Sequence, residues 1–149
     1  MDDDLRARIE GATAFARTLG ATLVEVADGT AVLRLDAAPE LHNHLGGPHA
    51  ATLFGLGETA AAAVVITVFA DLVGAGVVPL IKSATIHYQA IATGVMLATA
   101  HLTGDGEDGV RESVAARGVA VFPVEVVFRR EYDGVGTATM TAQMALKRG

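Results

Sequence analysis

The residue with the clearest chemical meaning in this sequence is Glu58, a carboxylate inside an apolar segment. If the segment is helical, the neighbours of Glu58 on the same face are Ala51, Phe54, Ala61, Ala62 and Val65. A carboxylate among such residues is costly unless it is paired, hydrogen-bonded or lines a pocket, and desolvation raises its pKa. A raised pKa is typical of general bases and nucleophiles in clefts, although structural carboxylates share it. The pattern is equally compatible with a solvated helix edge or an ion pair with an arginine.

A glycine-containing loop before this segment is the second chemical feature. The loop reads Asn43-His44-Leu45-Gly46-Gly47-Pro48-His49. Glycines before a helix let backbone N–H groups point at a ligand, and the helix N-terminus adds partial positive charge. Such a place suits the oxyanion of a carbonyl group that is attacked from the side of Glu58. The simpler alternative is an ordinary turn with Pro48 in the first helical turn.

The composition excludes several other kinds of chemistry. The chain has no cysteine, so a thiol nucleophile, a thiolate metal site and a disulfide are impossible. Its net charge is -6 and its 11 Lys and Arg residues are scattered, which argues against nucleic acid as a ligand. His42 and His44 lie near His49, but no carboxylate or cysteine set accompanies them. Polar loop positions are therefore favoured over a metal site, and no metal is expected.

Neither secretion nor a membrane span is expected. The residues Met1-Asp2-Asp3-Asp4 lack the basic and apolar regions of a secretion signal, so the sequence predicts a cytoplasmic location. Glu58 and Asp71 leave about twelve apolar residues between them, whereas a membrane span needs roughly 20. We therefore interpret the apolar segment as a buried core helix, with no membrane as partner.

The rest of the pattern predicts the elements that position these groups in one domain, residues 1–149. Helical spacing predicts an amphipathic N-terminal helix within 1–20 and a central helix over 49–70. Alternating apolar residues predict strands at 22–26, 31–35, 81–91, 95–102, 119–129 and 135–146. Hairpin-length turns would join all of them except around the helix, and 112–116 is compatible with a short helix. Such connections favour an antiparallel sheet with one enclosed helix, an α+β arrangement.

Four positions in the loop and helix are spaced as in hot-dog-fold acyl-CoA thioesterases of the phenylacetyl-CoA and hydroxybenzoyl-CoA type: Asn43, Gly46, His49 and Glu58. Those proteins have Asn or Gln, a Gly three residues later, a His three further on, and an acid nine after the His. The order of strands and helix is similar over residues 22–146. The resemblance implies a hot-dog fold, a curved antiparallel sheet around a long central helix, in an uncharacterised branch of that superfamily.

The resemblance implies a role for each matched residue in the hydrolysis of an acyl-CoA to free acid and thiol. Glu58 would be the general base that activates water, or the nucleophile that forms an acyl-enzyme anhydride. His49 and backbone N–H groups, that of Gly47 among them, would polarise the thioester carbonyl, and Asn43 would orient the water or the carboxylate. The neighbouring residues expected to contact substrate are Gly46, Pro48, Phe54 and Ala62. No cofactor is expected beyond the coenzyme A of the substrate.

The resemblance also implies a homodimer or a dimer of dimers, because in that family the site forms across a dimer interface. Two departures from the family pattern leave other functions open. Ala50-Ala51 stands where the family has two glycines, and Ala62 stands where some members have a hydroxyl residue. The alternatives are a non-catalytic acyl-thioester binding protein and a hot-dog hydratase or dehydratase.

Overall fold

The computed structural model describes residues 2–149 and contains five α-helices and six strands. The helices are α1 (Asp3–Glu10), α2 (Ala14–Leu19), α3 (Ala50–Val68), α4 (Ala70–Gly74) and α5 (Gly106–Arg117). The strands are β1 (Thr22–Ala27), β2 (Thr30–Leu35), β3 (Val77–Tyr88), β4 (Met96–Leu102), β5 (Val119–Arg130) and β6 (Gly136–Arg148). A short 3-10 turn, Pro39–Leu41, lies in the loop that leads to α3.

All six strands form one antiparallel sheet in the order β1-β2-β4-β5-β6-β3. The predicted hairpins close at Asp28-Gly29, between β1 and β2, and around Asp133-Gly134, between β5 and β6. The sheet wraps around α3, which packs against β2, β3, β4, β5 and β6. The predicted hot-dog fold, an α+β architecture with one enclosed helix, is therefore confirmed.

Close packing of α3 on the sheet depends on small residues along the helix. Leu56, Ala60 and Val64 are fully buried against the concave face. A Cβ atom added at Gly57 would lie 2.6 Å from Cζ of Phe128 and 2.7 Å from the sulfur of Met140. Glycine at this position therefore lets the helix backbone approach the strands more closely than any other residue would.

The C-terminal end of α3 is fastened by α5. Arg111 donates to the carbonyl of Val68 at 3.0 Å and pairs with Asp71 at 2.9 Å. Its guanidinium lies 5.3 Å from the ring centre of Phe69, which is fully buried. The helix compatible with 112–116 is thus part of a 12-residue element that packs against β5 and β6.

The N-terminal segment is not the single amphipathic helix predicted over 1–20. Gly11 ends α1, and the side chain of Thr13 starts α2 by accepting the N–H of Ala16 at 3.0 Å. Each short helix still buries its part of the apolar stripe, through Ile9 in α1 and Leu19 in α2. The helical spacing continues across the break, which is why it did not reveal the break.

The predicted hairpin between the third and fourth strands is also wrong. β3 pairs only with β6, while β4 lies between β2 and β5, so residues 89–95 cross from one edge of the sheet towards its centre. Gly94 does bend the chain, with a φ of 66°, but this bend does not join paired strands. Alternation identifies a strand, whereas its pairing partner is set by packing over the enclosed helix.

By length and hydropathy alone, α3 is the one helix among residues 2–149 that could cross a membrane, with a mean hydropathy of 1.7. In the structure 56% of that stretch is buried inside the domain. The apolar character of α3 is thus accounted for by its position beneath the sheet.

We expect the substitution Gly57→Ala to lower the free energy of unfolding by about 1–3 kcal/mol, because the new methyl group overpacks the core. Phe128 is completely buried. Urea denaturation measures the loss. Gly74→Ala is the matched control, since a Cβ there meets nothing within 4 Å. Equal stability of the two variants would contradict the close approach of helix and sheet.

Candidate active site

An open cleft lies at the N-terminal end of α3, beside the end of strand β3. Its volume is about 370 Å³. It is lined by Asn43, Leu45, Pro48, Ala50, Leu53, Tyr88, Gln89, Ala90, Ile91 and Ala92. The cleft therefore joins the glycine-containing loop, the first turn of α3 and the segment that leaves β3.

The loop before α3 is braced by Asn43. Its side-chain oxygen accepts the N–H groups of Leu45 at 2.9 Å and Gly47 at 3.3 Å, and its amide nitrogen donates to the carbonyl of Pro48 at 3.4 Å. Gly47 is buried, and a Cβ there would lie 2.2 Å from the carbonyl oxygen of Ala92. Asn43 therefore shapes the loop, and the N–H of Gly47 is already engaged by its side chain. The catalytic roles predicted for these two residues stay predictions.

His49 caps α3 and leaves a neighbouring backbone donor free. Its Nδ1 accepts the N–H of Ala51 at 2.9 Å, so in the neutral ring the proton lies on the exposed Nε2. Within residues 2–149, the N–H of Ala50 has no hydrogen-bond partner. Two N–H donors, one from a ring and one from the backbone, are therefore available at the helix N-terminus, where partial positive charge favours an anion.

Two residues of the cleft were not identified from the sequence. Ala50 has no reactive side chain, and its contribution is a backbone N–H whose availability depends on the capping geometry. Tyr88 donates its hydroxyl hydrogen to the carbonyl of Ala50 at 2.9 Å, and burial raises the pKa of this phenol. The alternation of β3 indicates the face on which Tyr88 lies, but not its contact with the helix.

Glu58 is half-buried in a second, smaller cavity of about 40 Å³ between α3 and the two N-terminal helices. No hydrogen bond or ion pair to Glu58 occurs within the described part of the chain, and burial raises the pKa of its carboxyl group. Of the alternatives open at the sequence level, an ion pair with arginine is therefore excluded within one chain. Glu58 instead lines a cavity, with the raised pKa that desolvation produces.

The two halves of the predicted site do not meet within one chain. Glu58 comes nine residues after His49. Nine residues at helical spacing span about 13.5 Å along the axis and about two and a half turns around it. The carboxylate and the helix N-terminus accordingly line different cavities.

The residues predicted to contact substrate are divided between these places. Pro48 lines the larger cleft and Ala62 lines the cavity of Glu58, while Gly46 is exposed in the loop with a φ of 77°. Phe54 is 37% exposed on α3, one turn before Glu58. An uncovered apolar surface thus connects the cleft with the acid.

Comparison with known proteins gives a family and a set of similar structures. The sequence profile of the family described as Domain of unknown function (DUF4442) matches residues 6–146. A protein of unknown function from Pseudomonas aeruginosa, described as a probable thioesterase, has a similar structure. It is 25% identical, with a TM-score of 0.84, over 99% of this chain and 95% of that one. No curated protein matches the sequence significantly.

Two further solved structures show the same fold at lower identity. A phenylacetic acid degradation-related protein from Ralstonia eutropha, also named as a candidate thioesterase, is 21% identical with a TM-score of 0.71. That match covers 93% of this chain and 96% of that one. The PaaI protein of Escherichia coli, from the phenylacetic acid degradation operon, is 20% identical with a TM-score of 0.67, over 96% and 89%.

The raised pKa of Glu58 predicts how stability depends on pH. The fold favours the neutral form of Glu58. Its stabilising contribution to the free energy of unfolding is therefore fully present below pH 4.5, the ordinary pKa of a glutamic acid. It is lost as the pH rises through the higher folded value. We expect Glu58→Gln, which stays neutral, to gain stability relative to the wild type as the pH rises above the ordinary value of 4.5. Urea denaturation across this range measures the difference. The control Glu125→Gln removes an exposed carboxylate from β5. If the free energies of unfolding of the wild type and Glu58→Gln change with pH in parallel, burial of the acid is contradicted.

Proposed function

Since the chain belongs to the family of unknown function DUF4442 and has the hot-dog fold, we propose that it is a thioesterase. Its substrate would be an acyl-CoA or a related acyl thioester, and its products a free acid and a thiol. The observation that carries the proposal is the position of Glu58, an unpaired carboxylate in a cavity on the central helix. A structural similarity to a protein described as a probable thioesterase supports the same reaction class.

The proposed reaction uses Glu58 in its ionised form. As a general base, the carboxylate takes a proton from water while the water oxygen attacks the carbonyl carbon of the thioester. The carbon–sulfur bond then breaks, its electron pair leaves with the sulfur, and the proton passes to the thiolate. As a nucleophile, a carboxylate oxygen attacks the same carbon, the carbon–sulfur bond breaks and the thiolate leaves. Water then hydrolyses the resulting anhydride to the free acid and the Glu58 carboxylate, and a proton from the water passes to the thiolate. A raised pKa makes the carboxylate more basic and suits either route.

Two donors at the start of α3 are suited to stabilise the oxyanion. The N–H of Ala50 is unpaired, and Nε2 of His49 carries the proton of the neutral ring because Nδ1 is engaged. Donors of this kind contribute most where charge develops during the reaction. The proposal thus assigns to Ala50 the role that the sequence had suggested for Gly47.

The separation of Glu58 from His49 requires that the two groups come from different copies of the chain. Strand β3 is a 12-residue edge strand, and it exposes Val78, Leu80 and Ile81. An unpaired apolar edge of this length favours association with another strand. We therefore propose a homodimer with two-fold symmetry, in which each Glu58 lies near the N-terminus of α3 of the partner.

We expect Glu58→Gln to reduce thioester hydrolysis by about 100-fold or more, since it removes the base or nucleophile. His49→Ala should reduce it by about 10-fold to 100-fold through loss of an oxyanion donor. A panel of short, long and aryl acyl-CoAs with a thiol-detecting dye measures turnover. Glu112→Gln, on the exposed side of α5, is the control and should keep full activity. Acyl-CoA binding without any release of thiol would instead identify a non-catalytic binding protein, and hydration of an enoyl-CoA would identify a hydratase.

A site shared between two chains also predicts complementation between inactive variants. When equal amounts of Glu58→Gln and His49→Ala chains are unfolded together and refolded, half of the dimers contain one chain of each kind. Each mixed dimer has one site with both groups intact, so about a quarter of wild-type activity should return. Light scattering establishes the dimer, and each variant refolded alone is the control. No recovery in a mixture that contains mixed dimers would place the whole site within one chain.

A further inference from the structure

The two N-terminal helices cover half of an open stripe on α3. The residues of α3 up to position 66 that are not buried form this stripe: Ala50, Ala51, Phe54, Glu58, Ala62 and Ile66. The helices α1 and α2 lie over its second half, from Glu58 onwards, and enclose the cavity of about 40 Å³. The first half of the stripe remains open towards the larger cleft.

The cavity under the N-terminal helices is lined by small and apolar groups. Its nine lining residues are Ile9, Ala12, Thr13, Ala16, Glu58, Thr59, Ala62, Ala63 and Ile66. Glu58 is the one ionisable residue among them. The hydroxyl of Thr59 donates to the carbonyl of Gly55 at 2.8 Å, and that of Thr13 accepts the N–H of Ala16. Because both hydroxyl groups are engaged with the backbone, the cavity suits an alkyl chain that ends at a carbonyl beside Glu58.

Phe15 stands at the border between the open and the covered parts of the stripe. Its ring meets α3 at Gly55, where an added Cβ would lie 2.5 Å from Cζ of the ring. This contact is less than one turn before Glu58, and helical side chains lean towards the preceding turn. The ring is nevertheless 52% exposed. An exposed aromatic ring against bare helix backbone is placed to limit access to the carboxylate.

We infer that the cavity between the N-terminal helices and α3 is the acyl subsite, and that Phe15 and Ala62 set the length of the acyl group. This inference rests on the proposed thioesterase function. One water-sized group needs at least about 10–15 Å³ of such volume, so a cavity of about 40 Å³ accepts about three such groups at most. The assigned substrate class is a thioester of a short, unbranched acid with up to about four carbons. Phenylacetyl and long-chain groups do not fit while the ring of Phe15 is in place.

The test is the acyl-length profile of kcat/KM for acetyl-, butyryl-, hexanoyl-, octanoyl- and phenylacetyl-CoA. The wild type should prefer acetyl- or butyryl-CoA. Ala62→Leu fills the cavity and should lower kcat/KM for butyryl-CoA by about 10-fold to 100-fold relative to acetyl-CoA, since butyryl has two more methylene groups and each one excluded is worth about 10-fold. Phe15→Ala should raise kcat/KM for octanoyl- and phenylacetyl-CoA relative to butyryl-CoA by about 10-fold.

The control and the alternative outcomes separate this inference from the proposed function. Val121→Ala removes a similarly exposed apolar side chain, 50% exposed on β5, and should leave the profile unchanged. Ala62→Val replaces Ala62→Leu if the larger residue prevents folding. The acyl subsite is overturned if the wild type, Phe15→Ala and the Ala62 variant all turn over acyl-CoAs with the same acyl-length profile. In that case the thioesterase proposal still stands. No thiol release from any acyl-CoA overturns both.

Discussion

The structure depends on the enclosure of α3, a helix that is apolar on nearly every side. Burying such a helix is the main gain in free energy available to a domain of this size. A single curved sheet leaves one side of the helix open, and here the open side is the stripe from Ala50 to Ile66. The helices α1 and α2 cover the end of the stripe near Ile66. The end near Ala50 is uncovered within one chain and is available to the partner subunit of the proposed dimer.

Glu58 lies where the covered part of this stripe meets the open part. A fully buried carboxylate without a partner would be too costly, and a fully exposed one would have an ordinary pKa. At the border the group is desolvated enough for its pKa to rise, yet it remains accessible from the open half of the stripe. The same position separates Glu58 from the start of α3. A reaction that needs both groups therefore needs two helices, and the apolar edge of β3 offers a way to bring them together.

The sequence predicted the features that follow from local periodicity and failed on those that depend on distant packing. The apolar neighbours of Glu58 were sufficient to predict both the central helix and the conflict at the acid. Thr13 could have indicated a second helix start, but the apolar stripe continues across the break. The pairing of β3 with β6 is set by packing around α3, and alternation carries no information on the partner strand. The donor at Ala50 depends on the cap formed by His49, which only the coordinates reveal.

Ala50 and Ala51 change steric access to the N-terminus of α3 more than they change the partial positive charge there. Oxyanion donors at such a place are backbone N–H groups, so replacing glycine by alanine keeps the donors and adds methyl groups. Those methyl groups lean towards the start of the helix, where they narrow the approach. His49 also takes the N–H of Ala51, which leaves Ala50 as the open donor of the pair. A narrow approach to the N–H of Ala50, together with a small cavity beside Glu58, favours a compact acyl group in the proposed site.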